Sequence, residues 1–114
     1  MRRERRRFHR ASQSFNVRCR HYGALTETWH LIASLDLSAG GMRFRSEGPF
    51  ELGCLLEFEI SLPNASEPLV VRGRLLRSEV QERNLVEHAV EFLDVQEEAQ
   101  IQLDGLVAFL RKKG

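Results

Sequence analysis

Cysteine, proline, lysine and long apolar runs are all scarce in this 114-residue sequence. Only Cys19 and Cys54 carry thiols. They stand far apart with no C-x-x-C pair, which excludes a disulfide framework or a zinc knuckle and leaves two core thiols as the expectation. No stretch approaches the roughly 20 consecutive apolar residues that a membrane-spanning helix needs. The charged N-terminus also lacks the apolar segment of a secretory signal, so a cytoplasmic protein without membrane insertion is expected. Hydrophobic residues at 42% and charged residues at 29% suit one globular domain. There are no internal repeats or low-complexity tracts.

Charge is nearly balanced at +1 but unevenly placed. The opening "MRRERRRFHR" holds six arginines and one glutamate, whereas residues 11–114 hold 11 basic and 15 acidic residues. Lysine is confined to Lys112 and Lys113, so 15 of the 17 basic residues are arginine. Arginine presents a planar fork that pairs with phosphate or with a guanine edge, which the lysine point charge cannot imitate.

After this segment the period is that of strands. Phe15, Val17 and Cys19 alternate with Asn16, Arg18 and Arg20. "TWHLIASLDL" is rich in strand-forming residues and ends at the turn-like "DLSAGG". "GMRFRSE" follows as a strand. In "CLLEFEISLP" Leu56, Phe58, Ile60 and Leu62 share one face, with Glu57, Glu59 and Ser61 on a solvent-facing side. "PNASEP" reads as a loop. "LVVRGRLLRSEV" and "LVEHAVEFLDV" are two more strands joined around "QERN", with Gly73 a candidate bulge or site of close packing and Arg72, Arg74 and Arg77 on an outer face.

The period then changes to that of a helix over about 95–112. Asp94 and Glu97 form a candidate capping pair, and Ala99, Leu103, Leu106, Val107 and Leu110 share one face. Six strands and a final helix without βαβ alternation predict a mostly β fold, a small antiparallel barrel covered by a C-terminal α-helix.

The chemistry-bearing patterns are few. His9, His21, His30 and His88 show no ligand spacing, and no metal site is expected. Ser38 lies outside any G-x-S-x-G, no phosphate-binding glycine loop occurs, and no catalytic constellation is present. Trp29 fits a barrel or barrel-rim position. An enzyme is not expected.

"ERRRFHR" before a strand, followed by "DLSAGGM" at the next strand turn, resembles the PilZ domain family. Its marks R-x-x-x-R and [DN]-x-S-x-x-G fall here on Arg6 and Arg10 and on Asp36, Ser38 and Gly41. The resemblance covers nearly the whole chain. It implies a six-stranded barrel over residues 11–114 and a flexible basic ligand-binding segment over residues 1–10. The implied ligand is the bacterial second messenger cyclic di-GMP, with no other cofactor.

Under that resemblance Arg6 and Arg10 would meet phosphate or the guanine N7 and O6 atoms. Asp36 would accept from the guanine donor edge, Ser38 would bond nearby, and Gly41 would give close approach or a positive φ. Arg5, directly before the motif, implies two ligand molecules per chain. Arg2, Arg3 and Arg7 become supporting charges. The output would be a ligand-dependent surface for an unidentified protein effector. Two alternatives are a degenerate PilZ-like interaction module without nucleotide binding and a small nucleic-acid-binding barrel. The acidic excess of residues 11–114 argues against nucleic acid.

Overall fold

A computed structural model describes residues 15–25, 28–47, 50–63 and 65–113. Six strands, β1 (Phe15–His21), β2 (His30–Ser38), β3 (Gly41–Glu47), β4 (Leu55–Ile60), β5 (Leu69–Val80) and β6 (Leu85–Leu93), precede helix α1 (Glu97–Lys113). They close into an antiparallel barrel in the order β1-β2-β3-β6-β5-β4. The expected fold class is therefore the one observed. No helix among the described residues is long and apolar enough to cross a membrane.

Alternation builds the interior. Val17 and Cys19 of β1, Met42 and Phe44 of β3, Leu56, Phe58 and Ile60 of β4, and Val90 and Phe92 of β6 are all buried in one core. Phe58 stands edge-on to Phe44 at 5.6 Å and to Phe92 at 6.2 Å between ring centroids. Gly73 lies opposite Leu56, where an added Cβ would come within 2.9 Å of the Phe58 ring. Close packing, and no bulge, is thus the reason for this glycine. Leu103, Leu106, Val107 and Leu110 bring one face of α1 into the same core, and the helix packs beside β2.

The outer face is laced with ion pairs. Glu57 and Glu59 are half-buried and salt-bridged to Arg20 at 2.7 Å and Arg18 at 2.8 Å, a fuller engagement than a solvent-facing reading gives them. Arg20 also lies over the half-buried Trp29 ring at 4.2 Å, which makes Trp29 a rim residue. Arg72 meets Asp94 at 2.5 Å, and the side chain of Arg74 lies 3.9 Å from that of Glu91.

Three local expectations need correction. Cys19 is buried, but Cys54 sits half-buried just before β4. Asp94 does not cap the helix: its φ of 53° is left-handed where a cap residue is extended, its carboxylate is held by Arg72, and α1 starts at Glu97. The turn read in "DLSAGG" is shorter than the motif, because Asp36, Leu37 and Ser38 still belong to β2.

Candidate functional site

The motif residues Asp36, Ser38 and Gly41 gather at one end of the β2–β3 hairpin. Ser38 pairs directly with Gly41, leaving Ala39 and Gly40 as the two-residue turn. The Ser38 hydroxyl accepts from the Gly40 N–H at 3.1 Å and lies 3.5 Å from the Gly41 carbonyl, to which it donates. One side chain thereby ties the turn to both of its ends. From the neighbouring strand β6, the Phe92 N–H donates to the Gly40 carbonyl at 2.9 Å. An added Cβ on Gly41 would overlap the Val90 carbonyl oxygen of β6. Of the two expected reasons for this glycine, close approach is the one the geometry supports, since Gly41 has no positive φ.

Asp36 reaches the outer face through an irregularity. In β2, Ile32 and Ser34 face the core, with Ser34 opposite the buried Phe44. Unbroken alternation would turn Asp36 and Ser38 inward as well. The register instead slips between Ser34 and Asp36, where Leu35 is an extra residue in β2. Beyond it Leu37 pairs with Met42 in the core, while Asp36 pairs with Arg43 and Ser38 with Gly41 on the opposite face. A one-residue bulge thus moves a carboxylate out of an apolar interior, where an ionised group would be costly.

The carboxylate is not isolated. Arg43 Nε lies 3.5 Å from Asp36 Oδ2, and Arg43 Nη1 donates to Glu87 Oε2 at 2.5 Å. The second oxygen of Glu87 is 3.8 Å from Arg45 Nε. Asp36 is 5% exposed although it faces away from the core, so its electrostatic partners act with little solvent screening. Arg43 and Glu87 were not among the residues singled out from sequence. Their involvement appears only once β3 is registered against both β2 and β6.

Arg5, Arg6 and Arg10 lie outside the described residues. The strand they precede is described: Phe15, the first residue of β1, pairs with Ser34. The chain therefore joins the barrel two residues from Asp36 along β2.

The PilZ domain profile matches residues 4–109. This chain belongs to the PilZ domain family. Among solved structures, the PilZ domain of YcgR from Escherichia coli, solved with c-di-GMP, superposes with a TM-score of 0.68 at 20% identity, covering 96% of this chain and 94% of that one. MotI/DgrA, an inhibitor of motility from Bacillus subtilis, gives 0.71 at 16% identity over 96% and 51%. MrkH of K. pneumonia, in complex with c-di-GMP, gives 0.71 at 15% identity over 96% and 54%. This PilZ chain thus spans about half the length of MotI and MrkH. At these identities the likeness is one of fold. No curated protein matches the chain significantly.

Proposed function

We propose that this PilZ protein is a receptor for cyclic di-GMP, gripped between the N-terminal arginines and the Asp36 carboxylate. The observation that carries the reading is the outward phase of Asp36 beyond the Leu35 bulge, beside the strand that the arginine segment leads into. Arg10 precedes Phe15 by five residues, which span at most about 18 Å when extended. Neighbouring strands lie about 4.8 Å apart, so Arg10 is within reach of a ligand seated on Asp36. Membership of the family, and the solution of YcgR and MrkH with c-di-GMP, support the ligand class.

In this reading Arg6 and Arg10 pair with phosphate or with N7 and O6 of guanine, and Asp36 accepts from the nitrogen donors on the other guanine edge. Ser38 and Gly41 keep the hairpin tip in the shape that presents Asp36. Arg5 meets a second nucleotide, giving two molecules per chain. A carboxylate as covered as Asp36 takes a ligand only with local rearrangement, and in this reading residues 1–10 fold over the nucleotide once it is bound. Folding of that segment over the nucleotide creates a surface for a protein partner, and this surface is the output rather than a reaction.

Calorimetric titration with cyclic di-GMP, cyclic di-AMP and GTP tests the proposal. Preferential binding of cyclic di-GMP, at two molecules per chain, is expected. Arg6→Ala and Asp36→Ala should each weaken it by about tenfold to a hundredfold, the range for a lost charged hydrogen bond. Absence of binding, or equal binding of all three nucleotides, would end it. Ligand-dependent hydrogen-exchange protection of residues 1–10 tests the rearrangement separately.

A further inference from the structure

We propose that residues 76–80 of β5 form a self-complementary sheet edge, through which two copies of this chain pair antiparallel about a two-fold axis at Ser78. The proposal does not depend on the nucleotide reading. This edge lies at the end of the barrel where Glu47 pairs with Leu85, whereas the Asp36 hairpin lies at the other end, where Gly41 pairs with Glu91.

β5 outruns β4. Their ladder covers Leu69 to Arg74 and closes with a last exchange, Gly53 N–H to the Leu75 carbonyl at 2.9 Å and Leu75 N–H to the Cys54 carbonyl at 3.0 Å. From Leu76 to Val80 the strand pairs with β6 alone among the described residues. All of residues 76–80 are exposed, Leu76 at 53% and Val80 at 74%. An uncovered edge of this kind is a template for a further strand. Gln81 N–H donates to the Leu85 carbonyl, toward β6, so alternation aims the main-chain groups of Ser78 and Val80 at the free flank.

The side chains select the occupant. Ser78 and Val80 stand opposite the buried His88 and Val86, which leaves Arg77 and Glu79 on the outer face. Glu79 faces Glu87 directly across the ladder, where like charges repel. Glu87 already has Arg43 and Arg45, while neither Glu79 nor Arg77 has an ion pair among the described residues. An antiparallel copy centred on Ser78 sets Arg77 of each protomer opposite Glu79 of the other, and each Leu76 opposite a Val80. Ser78 then exchanges both main-chain hydrogen bonds with its own copy. Moving the axis by one residue would set Arg77 against Arg77 or Glu79 against Glu79, so charge fixes the register. The free length agrees with it: Gly53 bounds the edge at one end and the turn at Gln81 bounds it at the other. The contact uses the same patch on both copies and closes on itself. It is small, so the dimer is weak, with a dissociation constant of about 10–1,000 µM.

Sedimentation equilibrium of the full chain without nucleotide, over about 10 µM to 1 mM, measures the association. Glu79→Arg should raise the dissociation constant about tenfold or more, because it sets arginine against arginine on both sides of the axis. Within each chain the same change gives Glu87 an opposite charge across the ladder. Folding stability should therefore hold or rise while association falls, which separates the effect from misfolding. Arg77→Glu should weaken association as much. The double variant Arg77→Glu with Glu79→Arg restores complementary pairs in exchanged order, and should return the constant to within about threefold of wild type. A chain that stays monomeric up to about 1 mM overturns the proposal. So does a dimer indifferent to both single changes, or one that the double change does not restore.

Discussion

The hydroxyl of Ser78 lies 2.7 Å from Nδ1 of His88. On the other side of the ring, Ser46 Oγ is 3.0 Å from Nε2. His88 is 1% exposed and packs against Phe44 at 4.9 Å and Phe50 at 5.2 Å, so an apolar mouth of the barrel carries a ring whose two nitrogens are both engaged. The β5 register shift between Leu75 and Arg77 makes this possible, because it brings Ser78 opposite His88.

Replacement of His88 by alanine removes both the ring packing and the two hydrogen bonds. A loss of about 2–4 kcal/mol in unfolding free energy is expected, the range for truncating a buried ring. Urea denaturation measures it. Phenylalanine at this position should recover packing but not the serine contacts, and so fall between the two.

At the hairpin, Gly41→Ala forces a Cβ against the Val90 carbonyl and should cost about 1–3 kcal/mol, as overpacking against rigid backbone does. Ser38→Ala loses two contacts within the turn and should cost less, about 0.5–1.5 kcal/mol. Thermal denaturation of the two variants should therefore rank them with Gly41→Ala lower. The reverse order would show that the hydroxyl matters more to the tip than the close strand approach.

Cys54 offers a pH-dependent readout. Burial pushes its thiol up from the ordinary value of 9.0, and the charge of Glu51 pushes the same way, against weaker backbone hydrogen bonds. The thiolate is the reactive form, so alkylation of Cys54 should be slow at neutral pH and should still be accelerating above pH 9.0. Glu51→Gln should speed it at a given pH. Cys19, fully buried, should react only after unfolding. Mass spectrometry of iodoacetamide-treated protein separates the two sites.

Much of the barrel was legible because alternation survives wherever one strand face meets the core. β3 and β4 show it plainly in Met42 and Phe44 and in Leu56, Phe58 and Ile60. In β2 the pattern misleads. Strict alternation through "HLIASLDL" would group Leu31, Ala33, Leu35 and Leu37, yet Leu31 is 71% exposed and Ile32 and Ser34 are buried. A bulge leaves no mark in residue type, since Leu35 resembles its neighbours, and it is the pairing with β3 that reveals it. The motif residues Asp36, Ser38 and Gly41 could be named through the resemblance to the PilZ family, whereas Arg43 and Glu87 could not. They stand 44 residues apart and meet only through the register of β3 on β6. The cap expected at Asp94 fails for a related reason: Arg72, far away in sequence, claims the carboxylate.

Closure of the barrel restricts how another chain can join it. Each of the six strands has a neighbour on both flanks, and only segments that overrun a neighbour, such as residues 35–38 of β2 beside β1 and 76–80 of β5 beside β4, lack a partner strand on one side. Along the fully paired stretches another chain can be met only by side chains and loop shapes. Those can vary without disturbing the scaffold beneath.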